Sequence, residues 1–350
     1  MSNHPSIPKL ALIQSETELE ERLTQPRPVL VEFIRTLASP LVILGAGGKM
    51  GPTLAVLAKR ATMLAGRELE VIAVSRFTND ASRKWLEARG VKTRVADLLN
   101  RDEVLALPES ANVIHLVGLK FGTSLNPSLT WAVNTLTPAY VSERYAKSKL
   151  VVLSTGNVYP QSSVKAGGAL EDSPLTPVGE YANAAVVRER LFEYFSRNQG
   201  TRIALLRLNY AVELRYGVLA DIAGKVQAGA PIDLTSGYFN CIWQGDANEF
   251  ILRSFALAAT PPAAYNLSSP AMLSVREVAG SFGKLLDRPV QFTGEESDRA
   301  LISNSARINH ELGAQPTDIA DVIQWIAHWV KTGGRSLNKP THFEVPDGIY

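Results

Sequence analysis

Short apolar runs alternate with amphipathic stretches along most of this chain. Leu41-Val42-Ile43-Leu44, Val71-Ile72-Ala73-Val74, Val113-Ile114-His115-Leu116-Val117, Leu150-Val151-Val152-Leu153 and Ile203-Ala204-Leu205-Leu206 each read as a strand buried on both faces. Between them, apolar side chains recur at helical spacing, as at Met50, Leu54, Leu57 and Ala61, and helices are predicted over 81–89 and 131–146. Strands alternating with helices predict an α/β fold, a doubly wound parallel sheet of Rossmann type. A helical extension, 1–40, precedes it: Ser15 and Glu18 form a capping-box pattern ahead of Leu19 and Leu23, and Val29–Leu37 reads as a second short helix ended by Pro40. The Rossmann domain then spans 41–209, with its sheet completed by segments near 240–267. Residues 210–334 form mainly a smaller C-terminal substrate lobe. Ile319, Val322, Ile323, Ile326 and Val330 mark its last helix, and 335–350 is an aperiodic tail.

The sharpest local signal is Gly45-Ala46-Gly47-Gly48-Lys49-Met50-Gly51, which joins the first strand to the first helix. Gly45, Gly48 and Gly51 fit a G-x-x-G-x-x-G variant of the dinucleotide fingerprint, in the strand–turn–helix context that the motif needs. Such a turn lets a pyrophosphate approach the positive end of a helix, so Gly45, Gly48, Lys49, Met50 and Gly51 are assigned to the cofactor. The second strand ends in Ser75-Arg76, where a carboxylate for the ribose 2′-hydroxyl would be expected of an NAD site. A guanidinium there favours NADP over NAD, the alternative being an Arg that lies over the adenine or points to solvent. Asp97 and Leu98 follow the third strand, Asp97 serving either the adenine or a helix cap; Val117 and Gly118 follow the fourth.

Composition removes other classes. The chain has 350 residues, 45% hydrophobic and 20% charged, which excludes extensive disorder. With 36 Lys and Arg against 34 Asp and Glu, the net charge is +2, so neither nucleic acid nor a membrane surface is an expected partner. One cysteine, Cys241, permits no internal disulfide, and the five histidines show no metal-ligand spacing, so no metal is expected. No run is long enough to span a bilayer and the first residues do not read as a secretory signal, so a cytoplasmic protein is expected.

The ordered set GAGGKMG, ADL at 96–98, HLVG at 115–118, Asn134, STGNVY at 154–159, EDSPLTP at 171–177, Tyr181, RLNY at 207–210 and Asp246 resembles the extended short-chain dehydrogenase/reductase family, in particular its sugar epimerase/dehydratase group. The resemblance covers about 41–330. It implies a bound nicotinamide, hydride transfer on a sugar, sugar acid or nucleotide-sugar, and, by analogy, a homodimer built through helices such as 131–146 and 181–196. It also implies that Thr155 orients the reacting hydroxyl, that Tyr181 is the general acid/base, and that Asn209 positions substrate; Asn157, two residues after Thr155, is placed in the substrate set beside it.

The chain departs from the family at one place that matters. The fourth residue after the Tyr, a Lys in the family, is Ala185. Lys120, in the loop after the fourth strand, is the preferred substitute, with Asn134 completing the constellation; Arg188 is the other candidate, the alternative for it being a solvated residue or an ion-pair partner of Glu189 or Glu193. A nucleotide-binding protein of the same fold with little catalysis is the competing reading. Gly156-Asn157 stands where 4,6-dehydratases carry an acidic pair, which disfavours that reaction. Arg215 and Gln244 complete the expected substrate set, with Arg207 and Asp246 in the same region.

Overall fold

The computed structural model describes residues 11–120, 122–123, 125–339, 341 and 343. Its centre is a seven-stranded sheet of β1 (Leu41–Leu44), β2 (Val71–Ser75), β3 (Lys92–Val95), β4 (Asn112–His115), β5 (Lys149–Thr155), β6 (Arg202–Leu208) and β7 (Ala263–Leu267). The strand order is β7-β6-β5-β4-β1-β2-β3 and every pairing is parallel. Alternation sends Leu41 and Ile43 of β1 into the core on one face and Val42 and Leu44 into the core on the other. Four consecutive apolar residues are needed because both faces are covered. The edge strand β3 is mostly exposed and carries Lys92 and Arg94, charges that discourage pairing with another chain.

Helices α3 (Gly51–Leu64), α4 (Asp80–Glu87), α5 (Arg101–Leu105), α6 (Pro127–Arg144) and α7 (Glu180–Gln199) connect the strands, with α6 and α7 packed together on one face. The lobe contains α8 (Val218–Ala228), α9 (Gln244–Arg253), α10 (Val275–Leu286), α11 (Ala306–Leu312) and α12 (Ile319–Lys331). A second core forms where α8, α10 and α12 pack on one another, around Ile222, Phe282 and Trp325.

The extension is stitched into both cores. Ser15 caps α1 (Glu16–Thr24) by accepting from the Glu18 backbone N–H. Leu19 and Leu23 of α1 enter the lobe's core, whereas Leu30 and Ile34 of α2 (Pro28–Ile34) enter the sheet's core. The tail is anchored too: Leu337 N–H donates to the Arg215 carbonyl (3.0 Å), Phe343 lies against Phe239, and the Thr341 N–H and hydroxyl both donate to Asp221 (2.8 and 2.6 Å). His4, His342 and the tail beyond Phe343 lie outside the described residues. Among the described residues no helix is long and apolar enough to cross a membrane.

Candidate active site

The chain leaves β1 and β4 in opposite directions across the sheet, and ligands of doubly wound folds bind in the crevice beyond that switch point. The glycine loop follows β1 there. Gly45 has φ +80°, and a Cβ on it would come within 2.9 Å of the Val117 side chain. A Cβ on Gly51 would sit 2.4 Å from the Ala46 carbonyl oxygen, so only glycine lets α3 start against the strand. A Cβ on Gly48 would meet nothing nearer than 3.4 Å, so this position faces open space. No side chain caps α3, whose N-cap is Met50, and its first-turn N–H groups remain available to an anion. The cradle therefore fits a dinucleotide pyrophosphate.

Ser75 closes the loop's far side, its Oγ 2.5 Å from where a Gly47 Cβ would stand. Arg76 is exposed at the end of β2. Phe77 next to it holds φ +45°, a strained conformation for an aromatic residue. Asp97 Oδ1 accepts from the Leu99 N–H (3.0 Å), Leu98 is buried, and Asn100 rather than Asp97 caps α5.

Thr155 ends β5 and Tyr181 opens α7 just after Gly179, whose φ of +91° turns the chain into the helix. Both line a cleft of about 180 Å³ together with Lys49, Lys120, Asn157 and Asn209. Thr155 Oγ1 accepts from the Asn157 N–H (3.2 Å) and donates to its Oδ1 (3.0 Å). Asn209 is held by Asn240 and the Leu301 carbonyl. Lys120 is half-buried 5.9 Å from the Tyr210 ring centre, and burial lowers its pKa to about 8. Tyr210 itself holds φ +45°, a second strained aromatic residue bordering the crevice.

Several sequence expectations need correction. Lys49 does not point at the phosphate cradle. Its Nζ donates to the Ala211 carbonyl (2.9 Å) and lies 3.8 Å over the Tyr216 ring, so it reaches across to the lobe. Desolvation lowers its pKa to about 7, against the opposing pull of Glu213. Arg188 is neither solvated nor paired with Glu189 or Glu193. It is 2% exposed, and its Nη1 donates to the Val117 carbonyl and to Asn134 Oδ1, both at 3.0 Å. Gly118 is the residue that makes room for it, since a Cβ there would stand 2.5 Å from Nη1. Asn134 thus anchors Arg188 from within α6 and does not line the cleft. Ala185 is fully buried against Val158, Tyr159 and Ala169, leaving Arg188 one turn further on as the cation nearest the Val117–Gly118 loop along α7.

The expected substrate set also divides. Asn157 and Asn209 line the cleft, but Arg215 is committed to Glu213 and to Glu16 of the extension (3.2 and 2.9 Å). Gln244 is buried between α9 and α3, donating to Thr53 (3.0 Å). Asp246 accepts from the Thr317 N–H and hydroxyl and is a loop anchor. Arg207 forks onto Glu189 and also donates to the Tyr159 hydroxyl (2.6 Å) and the Glu171 carbonyl (2.8 Å). Residue type and neighbourhood pointed to these four, but only packing shows that none of them lines the cleft. Thr341, which lines the cleft from the tail, had no sequence signal at all.

Sheet order, glycine cradle and the Thr155–Tyr181 cleft define a dinucleotide-binding protein of the short-chain dehydrogenase/reductase class. The chain belongs to the NAD dependent epimerase/dehydratase family, whose model matches residues 41–233. No curated protein matches it by sequence. Solved structures with the same fold include UDP-glucuronic acid 4-epimerase from Bacillus cereus in complex with NAD (TM-score 0.69, 15% identity, 84% of this chain and 96% of that one). They also include UDP-glucose 4-epimerase from Thermus thermophilus with NAD (0.67, 17%, 83% and 98%). A third is the dTDP-glucose 4,6-dehydratase DesIV from Streptomyces venezuelae (0.67, 18%, 84% and 97%).

Proposed function

We propose that the protein is an NAD(P)-dependent sugar epimerase or dehydrogenase. The observation that carries this reading is the meeting of Thr155, Tyr181 and Lys120 in one cleft beside the glycine loop. Gly45, Gly48 and Gly51 would hold the pyrophosphate, with Ser75, Arg76, Asp97 and Leu98 toward the adenosine and Val117 and Gly118 toward the nicotinamide half. When bound, the nicotinamide supplies a hydride acceptor and donor. The protein's own part is the proton. Thr155 holds the sugar hydroxyl, and Tyr181 takes its proton and returns it. A neighbouring positive charge favours the phenolate that this needs, and Lys120 faces the same cleft. Arg188 holds the Val117–Gly118 loop in place and adds a fixed buried charge behind it.

NADP is the favoured cofactor, supported by the exposed guanidinium of Arg76 where a carboxylate would select NAD. Dehydration is disfavoured by space as well as by chemistry: a Cβ on Gly156 would already lie 3.1 Å from the Asn209 amide oxygen, so an acidic side chain there would displace Asn209. Pairing of two copies through α6 and α7 is supported by the exposed Leu136 and Tyr194 on those helices. The test is cofactor turnover over a panel of sugars and sugar acids, followed at the reduced-nicotinamide absorbance. Tyr181→Phe should abolish turnover while leaving cofactor affinity intact. Unchanged activity would overturn the acid/base role, and a wild type that binds cofactor but turns over no sugar would favour a binding protein.

A further inference from the structure

A buried guanidinium is costly unless an anion meets it. Arg188 is 2% exposed, yet its Nη1 donates only to the Val117 carbonyl and to Asn134 Oδ1, both at 3.0 Å, and its Nε is buried without a partner. Among the described residues no carboxylate pairs with it. Glu189, next to it in sequence, turns instead to Ser154 and Arg207. Arg188 is thus held by two neutral oxygens that leave its charge in place. That charge is felt by its neighbours: the pKa of His115 is lowered by burial first and by Arg188 second.

The sheet order puts this charge at one end of the crevice. β2, with Ser75 and Arg76 at its end, lies on one side of β1, and β4 and β5 lie on the other. A dinucleotide whose pyrophosphate rests on the loop after β1 therefore extends one half over the end of β2 and the other over the ends of β4 and β5. The second half is the reacting one, because Thr155 ends β5 and meets Tyr181 in the cleft there. Val117 borders the cradle, its side chain 2.9 Å from where a Gly45 Cβ would stand. Gly118 brings its backbone against Arg188, with Nη1 2.5 Å from where its Cβ would stand.

Resting on the nicotinamide reading above, we infer that Arg188 makes the site favour the reduced cofactor over the oxidised one. The oxidised nicotinamide ring carries one positive charge and the reduced ring none. A fixed cation behind the Val117–Gly118 loop opposes only the oxidised form, and between buried groups such a force reaches well beyond contact. Arg188 acts here through its field, touching neither cofactor nor substrate. In the proposed reaction the bias favours oxidation of the sugar hydroxyl. Asn134 is part of the device, because its amide holds the guanidinium without cancelling the charge, as a carboxylate of the same shape would.

Calorimetric titration of the full-length protein with NADP+, NADPH, NAD+ and NADH gives the ratio of oxidised to reduced Kd. ADP-ribose, which lacks the nicotinamide, reports on the cradle alone. Arg188→Met should shrink the ratio roughly tenfold, the effect of one unit charge across about 10 Å of protein and equal to about 30 mV for a two-electron couple. Arg188→Lys should restore most of it. Asn134→Asp supplies the missing anion within the existing geometry, so it decides the matter even if Arg188→Met fails to fold. A purely structural Arg188 predicts an unchanged ratio in Asn134→Asp; the electrostatic role predicts the same shrinkage as Arg188→Met, with ADP-ribose bound as by wild type. A ratio within about twofold of wild type in Asn134→Asp would overturn the inference and leave the dinucleotide reading standing. Weakening of all five ligands alike in Arg188→Met, at an unchanged ratio, would overturn it in the same way. A wild type that binds ADP-ribose and both cofactor forms equally would also sink it, and one that binds none of them would remove both readings.

Discussion

Glu189 and Arg207 give the most decisive test of how this site is built. They form an ion pair at 2.7 Å with side-chain exposures of 4% and 6%. Glu189 accepts from Arg207 Nε and Nη2 and from the hydroxyl of Ser154, the residue beside Thr155. It lies on α7, eight residues after Tyr181. The perturbation is Glu189→Gln, which keeps the shape and removes the charge. Arg207 is then a buried cation with no anion, and breaking such a pair from one side costs about 3–5 kcal/mol. At roughly 2 °C per kcal/mol for a chain of this size, the melting temperature should fall on the order of 5–10 °C. Turnover should fall as well, since Ser154 and α7 set the spacing of Thr155 and Tyr181. Urea unfolding at pH 7 measures the stability term, and steady-state kinetics the second. The double substitution Glu189→Leu with Arg207→Met should recover part of the loss, because it removes both charges together; the Tyr159 hydroxyl and Glu171 carbonyl that Arg207 also satisfies limit the recovery. A loss under about 1 kcal/mol would refute the assignment of Arg207 to structure. So would normal stability with a raised KM, which would return Arg207 to the substrate.

Three further outcomes are expected. Gly48→Ala should fold normally but weaken cofactor binding at least tenfold, because its Cβ enters only the open cradle, whereas Gly51→Ala should destabilise the chain by forcing α3 off the Ala46 carbonyl; equal Kd values by fluorescence titration for Gly48→Ala and wild type would contradict the first half. Arg76→Ala should weaken NADP far more than NAD, and equal loss for both would sink the NADP preference. His115 is fully buried with Nδ1 unpartnered, and burial, aided by the charge of Arg188, lowers its pKa to about 3. The unfolded chain therefore binds more protons at this residue between about pH 6.5 and 3, so its contribution is present above pH 6.5 and is lost as pH falls. The stability of His115→Leu should fall less steeply over that window, and an unchanged slope in urea titrations would remove His115 as a source of acid sensitivity.

The sequence alone carried the sheet, the phosphate cradle and the pair of hydroxyls. Apolar runs of four to five residues can be buried only on both faces, which demands helices on each side. Gly45, at φ +80°, and Gly51, against the Ala46 carbonyl, answer to the backbone geometry of the motif, whereas Gly48 faces the open cradle. Thr155 and Tyr181 were singled out by the order of the family's motifs, and a strand end and a helix start bring them to one cleft. What sequence could not supply is the use of each charge, because that depends on neighbours distant along the chain. Arg207 looked available until β6 placed it against α7, and Arg215 until the extension brought Glu16 to it. Lys49 sat in a phosphate motif, but the lobe gave its ammonium a carbonyl and an aromatic face instead. Arg188 resembled a surface residue until Gly118 and Asn134 opened a buried berth for it. Local conformation is set by spacing of a few residues; the pairing and desolvation that decide whether a charge is structural or chemical are settled only when distant segments pack.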